Sequence, residues 1–240
     1  MKLSTYAYTN IGGRSNNEDY CLYNNSLWVL ADGLGGHESG EVASKTASEC
    51  VDSFVRKKGI SLEDEFLSSI ISEANLAVIK KQSESEKMQA MRTTLVFALS
   101  DGNVLRYANV GDSRFYYFKN GSVYVQSEDH SVSAASVRMG DIRYEDIRMD
   151  ADRNKLLKVL GNSETLAVKI PDREIVLEQG DAFLLCSDGF WEYVYETEME
   201  IDLAKSETPQ EWLKYMVKRI ILKTHNQNND NFTAIGAIIN

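Results

Sequence analysis

The sequence predicts an α+β fold, and three observations carry that expectation. Strand-like segments come in runs, helical patterns fall in separate blocks between the runs, and no Pro/Gly-rich linker, repeat or low-complexity tract divides the chain. Taken in order, strands are expected at Leu3 to Tyr8, Tyr20 to Tyr23 and Leu27 to Leu30. A helical pair follows at Ser39 to Arg56 and Leu62 to Lys81, with Phe66, Ile70, Ala74 and Ala77 as the apolar stripe of the second helix. Two hairpin signals come next. Asp101-Gly102 separates Thr94 to Leu99 from Val104 to Val110, and Asn120-Gly121 separates Phe115 to Phe118 from Val123 to Val125. Together they predict a four-strand antiparallel stretch. Asp129 to Gly161 shows no sustained period and reads as a mobile, partly helical surface insertion. Further strands are expected at Thr165 to Ile170, Glu174 to Leu177, Ala182 to Cys186 and Phe232 to Ile239. Pro209 begins a helix between the last two, its apolar face built from Trp212, Met216 and Ile220. With only two prolines in 240 residues, a single domain over 1–240 is favoured.

Composition narrows the function classes. A formal net charge of -10 argues against nonspecific nucleic-acid binding, which needs an excess of Lys and Arg to neutralise phosphates. A phosphate ester remains acceptable as a substrate if bound cations supply local positive charge. No apolar run reaches the length of a bilayer span, and Met1 to Asn10 has no apolar signal segment, so a cytoplasmic, non-membrane protein is expected. Cys21, Cys50 and Cys186 are an odd, scattered set without a C-x-x-C pair, which suits reduced thiols.

The most informative pattern is a set of acids beside apolar strand-like runs. Leu27 to Ala31 leads into Asp32-Gly33, Phe183 to Cys186 leads into Ser187-Asp188-Gly189, and Asp230-Asn231 immediately precedes Phe232. Any one Asp-Gly pair by itself reads as a turn. Three acids on strand ends can instead converge, and a carboxylate cluster of that kind suits hard cations such as Mg²⁺ and Mn²⁺, which prefer oxygen ligands.

The order of Arg14, Glu18-Asp19, Asp32-Gly33-Leu34-Gly35-Gly36-His37, Gly111-Asp112-Ser113-Arg114, Asp129-His130-Ser131, Ser187-Asp188-Gly189 and Asp230-Asn231 resembles the protein phosphatase 2C family, and its compact bacterial members in particular. The resemblance implies a four-layer αββα sandwich, two central antiparallel sheets flanked by helices, with metals in a cleft at one end. It implies a protein serine/threonine phosphatase in which Asp32 bridges two tight Mn²⁺ or Mg²⁺ ions. Asp188 and Asp230 would complete one ion, the carbonyl of Gly33 would serve the other, and Glu18 would act through bound water. Asp112 is similar to the position that joins Asp188 in holding a third, weaker ion, although Gly111-Asp112-Ser113 also reads as a simple turn. Arg14 would grip the phosphate. Two cations about 3.5 to 4 Å apart can activate a bridging water for direct attack on phosphorus, without a phosphoenzyme. The implied partners are phosphoserine and phosphothreonine proteins, with a serine/threonine kinase and its substrates among them.

Two departures and three competing readings accompany the resemblance. Many animal members carry His where this chain has Leu34, which cannot donate a proton to the leaving alkoxide, so nearby His37 or a metal-bound water would have to serve. Asp150-Ala151-Asp152-Arg153-Asn154 stands where His-Pro often precedes Arg-Asn. Cys50 and Arg56 match the C-x5-R spacing of cysteine-dependent phosphatases, but the intervening residues contain no glycine and look helical. Asp150 and Asp152 imitate the D-x-D of aspartate-nucleophile phosphatases, with Asn154 in place of Thr or Val and no preceding apolar strand. A catalytically silent relative acting as a phosphoprotein-binding regulator would be expected to lack one of the core acids. Asp32, Asp188, Asp230 and Arg14 are all present, which favours activity.

Overall fold

The computed structural model describes residues 2–35, 39–162, 166–225 and 227–240. In chain order the elements are β1 (Leu3–Asn10), β2 (Asp19–Tyr23), β3 (Leu27–Leu34), α1 (Gly40–Lys58), α2 (Asp64–Gln82), β4 (Arg92–Thr93), β5 (Leu95–Ser100), β6 (Val104–Val110), β7 (Arg114–Lys119), β8 (Ser122–Gln126), α3 (Val132–Met139), β9 (Ile175–Val176), β10 (Ala182–Cys186), α4 (Asp188–Trp191), α5 (Glu196–Ala204), α6 (Pro209–Lys223) and β11 (Phe232–Ile239). One sheet runs β1-β11-β10-β7-β8 and the other β2-β3-β5-β6-β9, with β4 beside β3. All the pairings are antiparallel.

Successive side chains of a strand point to opposite faces, and here both faces of the central strands are covered. Leu27, Val29 and Ala31 of β3 pack with α1 and α2, while Trp28 and Leu30 face the other sheet. On β10, Phe183 and Leu185 face the inter-sheet layer, and Ala182, Leu184 and Cys186 face the layer formed with α4, α5 and α6. Three apolar layers therefore separate four layers of structure, the αββα arrangement that the sequence resemblance implied. Double-sided burial also explains why these strands read as continuous apolar runs.

The helices follow from their own patterns. Ala43, Ala47, Val51 and Val55 recur every fourth residue along the buried stripe of α1, and its last turn is basic, favourable against the helix dipole. Thr208 caps α6 by accepting from the Glu211 amide at 3.2 Å, with Pro209 opening the helix.

Five expectations need correction. The two hairpins do not form one four-strand stretch, because the chain crosses from one sheet to the other at Gly111 to Ser113. Gly111 permits this with φ +98, and a Cβ there would also strike the Thr94 side chain. Thr165 lies outside the described residues, and Leu166 to Ile170 joins neither sheet. Its alternating Leu166, Val168 and Ile170 instead pack against the core beneath α1 and α2. The strand expected at Glu174 to Leu177 shrinks to β9. The buried stripe of α2 is Leu67, Ile70, Ile71, Ala74 and Val78, with Phe66 only partly buried. The segment 129–161 is partly helical, as its composition suggested, but it is not wholly superficial: Ile147 and Arg148 are buried. Among the described residues, no helix is long and apolar enough to cross a membrane.

Candidate active site

The antiparallel β1–β11 register places Asn10 opposite Phe232, so the loop leaving β1 and the turn entering β11 emerge at the same end. The C-terminal ends of β3 and β10 reach that end as well. Arg14, Glu18, Asp32, Gly33, Asp188 and Asp230 line one cleft there, of about 360 Å³. The structure thus brings together six of the seven site residues expected from the sequence. Asp112 is not on the cleft wall. It lies behind it, 4% exposed, where the charge of Asp188 still reaches its carboxyl.

The backbone around each acid is held firmly. Asp32 lies inside β3 rather than after it; its amide donates to Thr94 Oγ1 at 2.9 Å, and its carbonyl accepts from the Thr94 amide at 2.9 Å and Thr93 Oγ1 at 2.8 Å. Thr94 Oγ1 also meets Ser113 Oγ at 2.7 Å, which ties the Asp112 crossover to the same strand end. Gly33 approaches the start of α1 so closely that a Cβ would collide with the Gly40 and Glu18 carbonyls. Asp188 begins α4, and Asp230 accepts from the Asn231 amide at 2.8 Å.

Two motif residues beside the expected ligands hold the site together. Asn231 organises the Arg14 to Glu18 loop: its side chain accepts from the Glu18 amide at 2.8 Å and donates to the carbonyls of Ile11 at 2.8 Å and Asn16 at 2.9 Å. Asp19 is buried directly opposite Asp32 across the β2–β3 ladder, a pairing of like charges that is unfavourable by itself. Ser187 Oγ donates to one Asp19 oxygen at 2.8 Å, and the other is a buried acceptor without a hydrogen-bond partner. Their adjacency to Asp230 and Glu18 in the motifs was the available signal.

The electrostatics are those of a cation site. Burial pushes Asp19 up to about 7, with Thr233 and Ser187 acting against the rise and the charges of Asp188 and Asp230 adding to it. Burial, then the charges of Asp19 and Asp188, raises Asp32 well above the ordinary carboxylate range. Asp112 is raised well above that range by burial and then Asp188, and Asp188 is raised by burial and then Asp230. Burial and mutual repulsion thus favour protons on these carboxyls when no cation is present. A divalent cation answers the same need, so the donor set fits hard metal ions. Among the described residues, no three acids already surround a common point at ligating distance. Asp230 is instead engaged by Arg14, whose Nε donates to Oδ1 at 3.0 Å and Nη2 to Oδ2 at 2.6 Å.

The competing nucleophile loses its geometry. Cys50 and Arg56 both lie on α1, Arg56 is paired with Asp52 at 2.7 Å, and burial raises the Cys50 thiol instead of activating it. Asp150 accepts from Ser133 Oγ and Asp152 pairs with Lys155, both as loop-ordering contacts. All three cysteines are free thiols. Leu34 lines the cleft with its apolar side chain, and His37 lies outside the described residues.

Fold and site together define a two-sheet sandwich with an acidic cleft at one end, whose oxygen donors suit hard cations. The sequence profile of the family described as protein phosphatase 2C matches residues 8–228. The chain belongs to the protein phosphatase 2C family. It is 34% identical over 199 residues to a serine/threonine phosphatase stp of Listeria welshimeri, covering 81% of this chain and 76% of that protein. The crystal structure of the Mycobacterium tuberculosis serine/threonine phosphatase PstP/Ppp superposes with a TM-score of 0.87 at 26% identity, covering 99% of this chain and 98% of that one. A PstP catalytic domain in complex with two manganese ions gives a TM-score of 0.85 at 26% identity, with 99% of each chain covered.

Proposed function

We propose that this chain hydrolyses phosphoserine and phosphothreonine on proteins in a single displacement by water, with two tightly held Mn²⁺ or Mg²⁺ ions. The observation that carries this reading is one cleft lined by Glu18, Asp32, Asp188 and Asp230, where burial and neighbouring charges raise Glu18, Asp32 and Asp188, with the Arg14 guanidinium at its exposed rim. Asp32 would be shared by both ions, Asp188 and Asp230 would complete one, and the Gly33 carbonyl and, through water, Glu18 would serve the other. Asp112 with Asp188 would hold a third, weaker ion. When bound, the ions supply an activated water and neutralise charge developing on the phosphoryl oxygens.

The chain's own residues do the rest. Thr93, Thr94 and Asn231 fix the backbone from which the acids project, so the carboxylates need only side-chain rotation to close on a cation. Arg14, nearly half exposed, presents a planar fork of donors at the cleft mouth, suited to two phosphoryl oxygens at once. Leu34 on the cleft wall cannot transfer a proton, so the leaving alkoxide must take its proton from water or from elsewhere in the cleft. The proposed partners are phosphoproteins, including a serine/threonine kinase and its substrates, in the cytoplasm, where the three cysteines persist as thiols.

Hydrolysis of a phosphothreonine peptide and of an aryl phosphate, measured with and without Mn²⁺, tests the proposal. Turnover should require the ion, and Asp32→Asn, nearly unchanged in size, should fall to the background rate with its thermal transition intact. Full turnover after exhaustive chelation would sink the reading. Tight phosphoprotein binding with no turnover at any Mn²⁺ or Mg²⁺ concentration would favour the silent regulator instead.

A further inference from the structure

Asp112 sits on the crossover between the sheets, and that crossover is pinned from three directions. On one side the His130 amide donates to the Gly111 carbonyl at 2.8 Å, and the Gly111 amide donates to His130 Nδ1 at 3.3 Å. From the link between β4 and β5 comes the Thr94–Ser113 hydroxyl contact. From the helical layer, Trp191 Nε1 donates to the carbonyl of Asp112 itself at 2.9 Å. This last bond differs in kind, because Trp191 ends the single turn of α4 that Asp188 begins.

The indole is not free to swing. Trp191 is 2% exposed, and the Arg114 guanidinium lies over its ring, 3.4 Å from the centroid. Arg114 is in turn locked to Asp129 by two bonds of 2.9 and 2.7 Å, and Arg148 Nε donates to the Trp191 carbonyl at 3.1 Å. The direction of the indole N–H is therefore set by buried neighbours on both sides. Its acceptor is the main chain of Asp112, the residue whose carboxyl feels the charge of Asp188.

We propose that Trp191 is a positioning residue for the weak cation site: one turn of α4 carries Asp188 at its start and, at its end, the donor that fixes Asp112 at a set separation from it. The inference rests on the reading that Asp112 and Asp188 hold a third ion. It adds to that reading the group that determines their spacing. The bland account is that Trp191 fills the core beneath the β10 sheet and its N–H merely finds an acceptor.

Mn²⁺ binding by calorimetry separates these accounts, using the parent, Asp112→Asn, Trp191→Phe, and a protein with benzothienylalanine at 191. The benzothienyl ring keeps the shape and stacking of the indole but has sulfur in place of N–H, so it removes the donor with little change in packing. The parent should bind two tight ions and one weak ion, and Asp112→Asn should lose the weak one. Both position-191 proteins should bind the weak ion roughly three- to tenfold less tightly, the factor that one hydrogen bond of ordinary net worth represents. Their two tight sites should be unchanged. In the parent, the Trp191 indole N–H resonance should shift on Mg²⁺ addition through the millimolar range, and it should not shift in Asp112→Asn. A weak site that is lost in Asp112→Asn but unchanged with benzothienylalanine overturns the role of Trp191 alone. Equal loss of tight and weak sites in the benzothienylalanine protein would show a general packing role and also overturn it. A parent that binds no third ion overturns the underlying reading, and the proposal with it.

Discussion

Arg14 meets Asp230 on the rim of the cleft much as Arg114 meets Asp129 in the interior, each through two hydrogen bonds from the guanidinium to the two carboxylate oxygens. What separates the pairs is burial: the side chains are 49% and 40% exposed in the first and 0% and 3% in the second. In the interior both charges have given up water, and neither can leave without stranding the other. At the rim, water and dissolved ions compete for each partner, so the pair can open at little cost. The same contact is a lock in one place and an exchangeable clasp in the other. Only the exchangeable one is suited to hand its guanidinium to a phosphate and its carboxylate to a cation.

The comparison breaks first, if it breaks, at the buried pair. Arg114→Ala should cost about 3–5 kcal/mol of folding free energy, because Asp129 is left charged and enclosed and the face of Trp191 loses its cover. Urea denaturation checks this, and a loss under about 1 kcal/mol would show that water reaches Asp129. Replacing both partners by apolar residues, Arg114→Met with Asp129→Leu, should recover much of the loss, since it removes the stranded charge as well as the bond.

A second test concerns the acids between the two pairs. Asp19, Asp32, Asp112 and Asp188 all have folded-state values above the ordinary 3.8, about 7 for Asp19. A raised carboxyl binds its proton more tightly when folded, so its contribution is present at low pH and is lost as pH rises from about 4 through the folded value. With divalent cations chelated, the melting temperature should therefore fall between pH 5 and pH 8 by several degrees. Added Mn²⁺ should flatten or reverse that slope by taking the place of the protons. A chelated protein that grows more stable over this window would show that the acids are already compensated.

The site was more legible in the sequence than the layering that builds it. Asp32, Asp188 and Asp230 announce themselves locally, as acids beside apolar runs, and their order with Arg14, Glu18 and Asp112 is a pattern along the chain. The separation of the two hairpins into different sheets is not local. A turn such as Asn120-Gly121 states that its flanking strands pair, but nothing in it says which sheet they join, and the decision rests on the Gly111 crossover. Leu166 to Ile170 has the alternation of a strand because one of its faces is buried, and burial of one face does not require a ladder. Asn231 and Asp19 were hidden for a related reason. Their roles depend on Glu18 and Ser187, which the fold brings beside them from the far ends of the chain.

The smallest expected effect on stability is at the rim, and it is the most informative about function. Arg14→Lys keeps the charge beside Asp230 but replaces a fork that spans both carboxylate oxygens with one ammonium. Since the pair is exposed, folding free energy should change by less than about 1 kcal/mol. If Arg14 serves the phosphate, kcat/KM on a phosphothreonine peptide should fall about tenfold, equivalent to ~1.4 kcal/mol of transition-state binding, because the bidentate contact cannot be copied. Affinity for the two tight Mn²⁺ ions should hold or rise slightly, as Asp230 loses its tighter competitor. If Arg14 serves only to order Asp230, the pattern inverts: Mn²⁺ affinity weakens, and the kinetic loss disappears once the ion is saturating. Peptide kinetics at saturating Mn²⁺ beside Mn²⁺ calorimetry on the same protein therefore decide whether the exposed pair is a clasp that opens onto substrate or a brace for the metal ligand.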